Sequence, residues 1–407
     1  MKNKLPILIC FGTRPEWLKI KPLIKIMDRN EYKLFFTGQH EDLLKEVDVD
    51  YKATIKEGSN RLDEVVKACL DLPEGEFRGV MVQGDTASAF ACAIGAYHIG
   101  LRIYYLEAGL RSKSLKHPYP EEGYRQMIAR ISDVNFAPTQ ISMVNLFEEK
   151  SLGDTWLVGN TVLDNLVDLP TPTYGNKVLV TLHRRENHPI MHEWFKEVND
   201  LAIQYPELEF ILPIHPNPNV QIHRDLLTNV KVVEPLSHDE LIAILLECKL
   251  VISDSGGIQE EASFLNKKVI VCREVTERPE AIYTGHLHLC KTTDKLKDLF
   301  VTLEKNSYIC KPCPYGDGYA AEHIKKILDA EEPVIPKFAA YTIQDSEGNT
   351  KTFPNMVNPT FTQRTSFGHF DLCDDEGAID NDSLLSFYNN KDNAQDDDGN
   401  IDIQKVI

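Results

Sequence analysis

The chain has 407 residues, of which 42% are apolar and 26% are charged, and its formal net charge is −18. This length allows two domains with separate cores, and the acidic balance excludes the basic footprint that a nucleic-acid partner requires. The charge is uneven, because residues 331–407 hold 15 acidic and 5 basic residues. The first apolar run is typical of a strand rather than a signal peptide, and the longest uncharged run, 86–101, is too short and too polar for a membrane span.

Nine cysteines are scattered along the chain. Several of them, such as Cys10, Cys92 and Cys272, lie in apolar runs, which indicates buried free thiols and a reducing, cytoplasmic compartment. The pair Cys310 and Cys313 has the C-x-x-C spacing, but no second pair accompanies it, so we predict no metal site.

Short apolar runs rich in β-forming residues alternate with amphipathic segments along most of the chain. This alternation predicts parallel sheets with helices wound on both faces, an α/β fold. The predicted strands are 7–11, 34–37, 80–83, 103–106, 177–181, 210–213, 251–253 and 269–272. The amphipathic segments include 18–28 and 239–247, and a last helix is predicted over about 319–328.

A polar segment with two prolines and a glycine, 168–176, predicts a linker between two domains. We therefore expect an N-terminal α/β domain over 1–168 and a second one over 176–330, which ends with the last helix. Beyond residue 330 the chain becomes acidic and poor in apolar residues. The segment 331–407 is predicted to be a C-terminal extension that is partly disordered.

Ligands of open α/β sheets bind where a strand ends and a helix begins, and the first such turns are unusually polar. FGTRPE places Arg14 at a helix start, where it would either clamp a phosphate or simply be exposed. Asp85, in GDT, is either a helix cap or a site carboxylate. Neither turn is a G-x-G-x-x-G loop, so the sequence predicts no dinucleotide cofactor, and we expect no cofactor at all.

Two further segments of the first half carry charged residues after a predicted strand. Glu107 follows the strand 103–106 and would either point toward a ligand or be a surface acid. Glu121 and Arg125 are four residues apart, so they share one helix face. That pair is either a solvated ion pair or part of a site.

The second half repeats this arrangement. His183 follows the strand 177–181 and is either a proton carrier or an exposed loop residue. His215 is flanked by proline and asparagine, which prevents a helix and exposes the imidazole. Arg278 lies beside Glu277, and the two either form a loop ion pair or line a site. Two sheets that faced each other would bring all these strand ends to one cleft.

The stretch DSGGIQEEASF places two glycines at a predicted helix start. Gly256 and Gly257 would present bare backbone N–H groups there, which suits either plain capping or an anionic ligand. Two adjacent acids, Glu260 and Glu261, follow in the same predicted helix.

The order of ten segments resembles that of the non-hydrolysing UDP-N-acetylglucosamine 2-epimerases. These segments are FGTRPE, GDT, EAGLRS, PEE…R, GNTVLDNL, HRREN, HPNPNV, DSGGIQEEA, TERPEA and PYGDG. The resemblance covers about residues 5–330. It implies a GT-B-like fold, in which two Rossmann-type doubly wound domains enclose the active site in an interdomain cleft, and it implies a homodimer.

The resemblance also implies the reaction and the roles of individual residues. The reaction is the reversible C2 epimerisation of UDP-N-acetylglucosamine to UDP-N-acetylmannosamine, which feeds surface polysaccharide or glycan synthesis. The residues implied to act in catalysis are Asp85, Glu107, Glu121, Arg125 and His183. Those implied to bind UDP are Arg14, Lys19, His215, Ser255, Gly256, Gly257, Glu261 and Arg278, with the diphosphate on 255–257 and the ribose on Glu261. The neighbouring acid, Glu260, is expected to serve only the helix.

The chemistry explains why these residue types are needed. The C2 hydrogen is not next to a carbonyl, so UDP must depart first or nearly so, leaving positive charge at C1 and a glycal after proton loss. A fixed cationic clamp stabilises the departing UDP. Proton transfer on two faces needs at least two acid/base groups, and the sequence leaves open which group serves which face. No redox step or metal is required.

The sequence departs from the family pattern where some members bind a second substrate molecule as an activator. It keeps Gln39 and His40 but has Glu41 and Asp42 where basic or amide residues are expected, and Ala68 where an arginine is expected. We therefore predict weak or absent activation by the substrate.

Three alternatives remain open from the sequence. A hydrolysing 2-epimerase would release N-acetylmannosamine and UDP from a similar scaffold. A GT-B glycosyltransferase would share the UDP-binding half but would not need the acid/base residues of the PEE…R and HRREN segments. A non-catalytic UDP-sugar sensor would need the cationic clamp alone.

Overall fold

The computed structural model describes residues 5–39, 47–56, 61–309, 311–330, 341–344 and 350–353. The described residues divide into two compact units. The first unit is built from the chain up to Asn165 and from Gly316 onward, and the second is built from Leu166–Tyr315.

Within the described chain, the first unit contains a parallel sheet of seven strands and the second contains one of six. Twelve α-helices connect or cover these strands. The strands are β1 (Ile7–Phe11), β2 (Tyr32–Phe36), β3 (Tyr51–Lys52), β4 (Gly79–Gln83), β5 (Ile103–Leu106), β6 (Val134–Ala137), β7 (Asp154–Leu157), β8 (Lys177–Thr181), β9 (Glu209–Pro213), β10 (Lys231–Val233), β11 (Cys248–Ser253), β12 (Val269–Val271) and β13 (Leu287–Leu289). The helices are α1 (Arg14–Ile26), α2 (Arg61–Leu70), α3 (Ala87–His98), α4 (Glu121–Ile131), α5 (Gln140–Glu148), α6 (Met191–Gln204), α7 (Pro218–Gln221), α8 (His238–Glu247), α9 (Gly256–Phe264), α10 (Glu280–Tyr283), α11 (Leu296–Glu304) and α12 (Ala320–Asp329).

The two sheets share one strand order. The first runs β3-β2-β1-β4-β5-β6-β7 and the second runs β10-β9-β8-β11-β12-β13. In each, the order reverses between the first strand and the fourth, which is the arrangement of a doubly wound, Rossmann-type sheet. Ligands of such sheets bind beside this reversal, between β1 and β4 or between β8 and β11. The predicted fold class, two Rossmann-type parallel sheets, is confirmed.

Small residues let α3 approach the first sheet closely. Ala89, Cys92 and Ala96 of α3 are at most 1% exposed and form one apolar layer with the sheet. A Cβ built on Gly95 would lie 2.8 Å from the carbonyl oxygen of Leu70, so α2 and α3 are in close contact as well. The strand ends that precede these helices are therefore held by a tightly packed core.

The last helix, α12, belongs to the first unit. The predicted domain bounds, 176–330, place it at the end of the second unit instead. Its buried residues Ile324 and Leu328 complete the apolar layer on the α1 face of the first sheet. His323 Nδ1 lies 3.1 Å from the carbonyl oxygen of Val158, and Arg78 Nη2 donates to the carbonyl oxygen of Leu328 at 2.9 Å. The sequence shows that this helix is amphipathic but not which sheet covers its apolar face.

The predicted linker is attached to the second unit. Thr173 N donates to the carbonyl oxygen of Leu246 at 2.7 Å, and Gly175 N donates to that of Glu247 at 2.9 Å. Lys267 Nζ donates to the carbonyl oxygen of Thr173. The boundary between the two units therefore falls at residues 165 and 166, a few residues before the predicted start of the linker.

Most of the predicted C-terminal extension lies outside the described residues. Its described parts are β14 (Tyr341–Gln344) and β15 (Thr350–Phe353), which pair antiparallel. Within the described ranges, no helix is long and apolar enough to cross a membrane.

Candidate active site

The turn after β1 is organised by Glu16, a buried carboxylate that the sequence analysis did not single out. Its Oε2 accepts the N–H groups of Gly12 and Thr13 at 2.8 and 2.7 Å and the hydroxyl of Thr13 at 2.8 Å. Its Oε1 accepts the hydroxyl of Thr86, which follows β4, at 2.6 Å. Burial raises the pKa of Glu16, against these hydrogen bonds, which lower it. One side chain therefore joins the turns after β1 and β4. Arg14 is exposed as the first residue of α1.

Glu107 lies directly after β5 and contacts two other side chains of this edge. Its backbone has a φ of 65°, a left-handed conformation that is uncommon for a residue other than glycine. Lys19 Nζ contacts Oε1, and Gln83 Nε2 donates to Oε2. Glu107 and Lys19 are both 8% exposed, so this is a nearly buried ion pair whose charges are weakly screened. The structure brings these two predicted site residues together.

Asp85 and Arg125 also come together. Arg125 Nη2 donates to Asp85 Oδ2 at 2.5 Å, and Arg125 Nη1 donates to Glu122 Oε2 at 3.3 Å. The capping interpretation of Asp85 is wrong, because the N-cap of α3 is Thr86, whose hydroxyl accepts the N–H of Ala89. The acid of the PEE segment that Arg125 is shown to contact is Glu122, which is fully buried.

Glu121, the first residue of α4, has a different environment from Glu122. Glu122 accepts the N–H of Ser112 at 2.9 Å and an amide hydrogen of Gln126 at 3.0 Å. In contrast, Oε2 of Glu121 is buried and has no hydrogen-bond partner among the described residues. A buried carboxylate oxygen without a donor costs free energy. A ligand or a water molecule beside this oxygen would supply the missing contact.

In the second unit, Asp254 organises the turn that carries His183. The Asp254 side chain is fully buried. It accepts the N–H of His183 at 2.9 Å to Oδ2, the N–H of Arg184 at 2.9 Å and an amide hydrogen of Asn187 at 3.0 Å. The ring of His183 stacks on that of His215, with centroids 5.2 Å apart. The structure thus joins two predicted histidines after β8 and β9.

The pKa values of both histidines are lowered. Burial is the main cause for His183, and the charge of Asp254 opposes it by raising the pKa. Burial also lowers the pKa of His215, which is exposed at the residue level but stacked on one face. A histidine with a lowered pKa is neutral near pH 7, so it can accept a proton there.

The start of α9 contains the predicted diphosphate-binding residues. Ser255 is the N-cap but makes no side-chain cap hydrogen bond, and α9 begins at Gly256. A Cβ on Gly257 would meet no described atom within 4 Å, whereas one on Gly256 would lie 2.8 Å from Nη1 of Arg278. The first N–H groups of a helix attract anions. This helix start combines them with a guanidinium beside Gly256.

The two acids of α9 differ in their partners. Glu260 Oε1 accepts a hydrogen bond from Arg278 Nε at 2.6 Å, and Arg278 Nη1 also contacts Glu277. Glu261 Oε1 lies 2.6 Å from Nε2 of His238, the first residue of α8. The expectation that Glu260 serves only the helix is wrong, because Glu260 holds Arg278 in place.

Sequence reasoning missed a group of supporting residues that hold the predicted ones. They are Glu16, Gln83, Glu122, His238 and Asp254. All except His238 lie within or next to the quoted motifs, so the positions of those four were visible. The partner of each supporting residue, however, lies tens of residues away or on a neighbouring turn. Among the described residues, no cluster of three or more histidines, cysteines or acids has the geometry to hold a metal ion.

Two Rossmann-type units, with carboxylates after the strands of one and a helix start beside a guanidinium in the other, are typical of enzymes that act on nucleotide-linked substrates. Comparison with known proteins identifies its family. The family model described as UDP-N-acetylglucosamine 2-epimerase matches residues 25–329. The chain belongs to this family.

Individual relatives agree with this assignment. The UDP-N-acetylglucosamine 2-epimerase of Campylobacter jejuni is 36% identical over 375 residues, which span 79% of this chain and 97% of that protein. The crystal structure of the Neisseria meningitidis enzyme bound to UDP-GlcNAc has 31% identity and a TM-score of 0.72, and covers 80% of this chain and 99% of that one. A Methanocaldococcus jannaschii structure in complex with UDP-GlcNAc and UDP has 27% identity and a TM-score of 0.66, with coverage of 80% and 99%.

Proposed function

We propose that the protein interconverts UDP-N-acetylglucosamine and UDP-N-acetylmannosamine by eliminating UDP and adding it back to a glycal. The observation that carries this proposal is the set of carboxylates at one edge of the first sheet. Asp85 follows β4, Glu107 follows β5, and Glu121 begins α4. Gly84 directly precedes Asp85, and a Cβ on it would be 3.6 Å from Glu107 Oε2. A glycosyltransferase would not need these acid/base groups, whereas a hydrolysing 2-epimerase would share them and differs in its products.

The second unit would hold the leaving group. The N–H groups at Gly256 and Gly257 and the guanidinium of Arg278 would carry the negative charge of the diphosphate as the C1–O bond breaks. Ser255, as the N-cap, would contribute a further N–H or hydroxyl contact. In the first unit, Arg14 and Lys19 are the cations placed at the carboxyl edge, and we propose that they add to this stabilisation.

The proton transfers would be divided among several groups. One group takes the C2 proton from the oxocarbenium-like species, the glycal forms, and a second group returns a proton to the opposite face while UDP adds to C1. Asp85, Glu107 and Glu121 are the carboxylates proposed for these steps. Arg125 would orient Asp85 through their 2.5 Å contact. His183, whose pKa is lowered by burial, is proposed as a neutral proton acceptor.

Glu261 and His215 complete the proposed nucleotide site. An ionised carboxylate accepts hydrogen bonds from hydroxyl groups such as those of ribose, and one oxygen of Glu261 lies 2.6 Å from Nε2 of His238. His215 is proposed to lie beside the nucleotide. The UDP-GlcNAc in the Neisseria meningitidis structure, at 31% identity, supports the choice of substrate.

Product analysis separates this function from its nearest alternatives. Incubation with UDP-GlcNAc in ordinary water, followed by ¹H NMR, should show a mixture of the two UDP-sugars and no free sugar. Release of N-acetylmannosamine with UDP would establish the hydrolysing reaction instead. An unchanged substrate that nevertheless binds would favour the sensor.

The assembly and the compartment are also proposals. We propose a homodimer, as the family resemblance implies, and a cytoplasmic location, which is supported by the six buried free thiols among the described residues. Weak or absent activation by substrate stays a prediction, because Glu41 and Asp42 lie outside the described residues. Light scattering tests the homodimer, and a substrate-saturation curve tests the activation by substrate.

A further inference from the structure

The second unit contains a buried carboxylate that the proposed reaction does not use directly. Asp254 lies between β11 and α9 and is 0% exposed. Three hydrogen-bond donors from the turn after β8 point at it: the N–H of His183, the N–H of Arg184 and the side-chain amide of Asn187. A buried carboxylate is tolerated only when donors surround it, so this turn and this side chain depend on each other.

The contacts around Asp254 join the ends of three neighbouring strands. Asp254 N donates to the carbonyl oxygen of Thr181 at 3.0 Å, and the hydroxyls of Thr181 and Ser253 are 2.7 Å apart. The amide of Asn187 donates both to Asp254 and, at 2.9 Å, to the carbonyl oxygen of Cys272. The ends of β8, β11 and β12 are therefore tied at the position where α9 begins.

The same carboxylate also acts electrostatically on the ring of His183. Asp254 Oδ1 lies 3.7 Å from Nδ1 of His183, too long for a hydrogen bond but close enough for a strong charge interaction. Burial lowers the pKa of His183, Asp254 raises it, and His215, Arg184 and His188 lower it further. Asp254 is thus the only group among these causes that favours the protonated imidazole.

We propose that Asp254, which lies directly before the start of α9, is a positioning residue for His183 and holds the turn that carries this histidine. It acts through the N–H groups of His183 and Arg184, which set the direction of the imidazole, and through its charge, which sets the proton affinity of the ring. This inference rests on the proposed function, because it gives His183 a role in proton transfer. Preorganised support of this kind is what keeps a reacting group in place.

The test compares Asp254→Asn with a matched control, Thr181→Val. The asparagine keeps the size of the side chain but loses the charge, and its amide hydrogens would face the donors of the β8 turn. The valine removes the hydroxyl contact to Ser253 from the same strand ends and leaves Asp254 intact. For each variant, we would measure the NMR titration of His183, the affinity for UDP and the rate of C2-proton exchange with UDP-GlcNAc in deuterated water.

In Asp254→Asn, His183 should titrate at a lower pH than in the wild-type protein, and the rate of C2-proton exchange should fall by about 100-fold. The loss of UDP affinity in this variant should be no greater than in the control. Thr181→Val should keep the wild-type titration and most of the exchange. An unchanged His183 titration in folded Asp254→Asn, or an equal loss of exchange in both variants, would overturn the proposal.

A third variant keeps the proposal testable if Asp254→Asn does not fold. Asn187→Ala removes one donor to Asp254 but leaves the charge, so it should lower exchange by about tenfold with an unchanged His183 titration. Wild-type exchange in this variant would contradict the positioning role. If the wild-type protein itself neither binds UDP nor exchanges the C2 proton, the proposed function fails, while the titration of His183 still decides whether Asp254 controls it.

Discussion

The guanidinium of Arg278 lies directly against the bare Cα of Gly256, so that a Cβ on this glycine would be 2.8 Å from Nη1. Arg278 cannot retreat freely, because its Nε donates to Glu260 at 2.6 Å and its Nη1 contacts Glu277. The neighbouring Gly257 has no described atom within 4 Å of the same position. The two glycines of the GG pair therefore have different physical reasons to lack a side chain.

Gly256→Ala and Gly257→Ala should separate these two reasons. Gly256→Ala displaces Arg278 from its acids, so we expect a lower melting temperature and a loss of UDP affinity of about tenfold, roughly 1.4 kcal/mol. Gly257→Ala should leave the melting temperature unchanged or raise stability by about 0.5 kcal/mol, yet it should also weaken UDP binding, because the methyl group would stand between the N–H groups and the diphosphate. Thermal unfolding and calorimetric titration with UDP measure both effects. Wild-type affinity in Gly256→Ala would show that Arg278 does not contribute to binding.

The nearly buried pair of Lys19 and Glu107 predicts a stability effect that a second substitution should partly reverse. Lys19→Met leaves the Glu107 carboxylate without its cation and should lower the free energy of unfolding by about 3 kcal/mol. Adding Glu107→Gln removes the unpaired charge and should recover most of this loss, while activity stays low in both variants. Urea unfolding compares the three proteins. A double variant no more stable than Lys19→Met would mean that the charge of Glu107 is balanced elsewhere.

The strands could largely be predicted from the sequence, because the central strands are continuous apolar runs. β1, β5 and β8 have the predicted bounds. β3, β6, β7, β10 and β13 were missed, since each has at most four residues and polar residues such as Asn135 and Asp154 shorten the apolar runs. A short strand of this kind is stabilised by its neighbours in the sheet rather than by its own composition.

The predicted site residues stay predictions in their roles, but the structure shows what sequence spacing can and cannot give. Two side chains share one helix face when they are either three or four residues apart. The sequence therefore could not show whether Glu121 or Glu122 meets Arg125. Asp85 and Thr86 are both residue types that cap helices, and the backbone conformation decides between them. The partners of Glu16 and Asp254 come from different strands, which periodicity does not reveal.

His286 predicts a pH-dependent loss of stability. It is fully buried, with Nδ1 2.7 Å from the hydroxyl of Thr284. Burial lowers its pKa to about 4, and the positive charges of Lys311, His288 and Lys268 also act to lower it. The unfolded chain therefore binds a proton at a higher pH than the folded chain does. The contribution of neutral His286 to the free energy of unfolding is complete above about pH 6.5 and is lost as the pH falls toward 4.

Urea unfolding at pH 7.5 and pH 4.5 measures this contribution. Between these values, the wild-type protein should lose about 2 kcal/mol through His286. His286→Asn keeps a polar atom near Thr284 but does not titrate, so its stability should fall less over the same range. Equal losses in the two proteins would show that other groups cause the pH dependence.

Substitutions at Glu261 and Glu260 should have different effects on the binding of UDP and of 2′-deoxy-UDP. If Glu261 accepts ribose hydroxyls while His238 holds its other oxygen, wild-type protein should bind UDP more tightly than 2′-deoxy-UDP. Glu261→Gln should weaken UDP binding by about tenfold and reduce this preference. Glu260→Gln is the matched control, because it loosens Arg278 and should weaken both nucleotides alike. A preference that survives in Glu261→Gln would place the ribose elsewhere.

The most direct test of the proposed mechanism is the fate of the C2 hydrogen. Wild-type protein would be incubated with UDP-GlcNAc in deuterated water, together with Asp85→Asn, Glu107→Gln and Glu121→Gln, and followed by NMR. We predict that the wild-type protein forms both UDP-sugars with deuterium at C2 and no free sugar, and that each variant exchanges at least about 100-fold more slowly. Epimerisation with retention of the C2 hydrogen, or wild-type exchange in all three variants, would contradict the account.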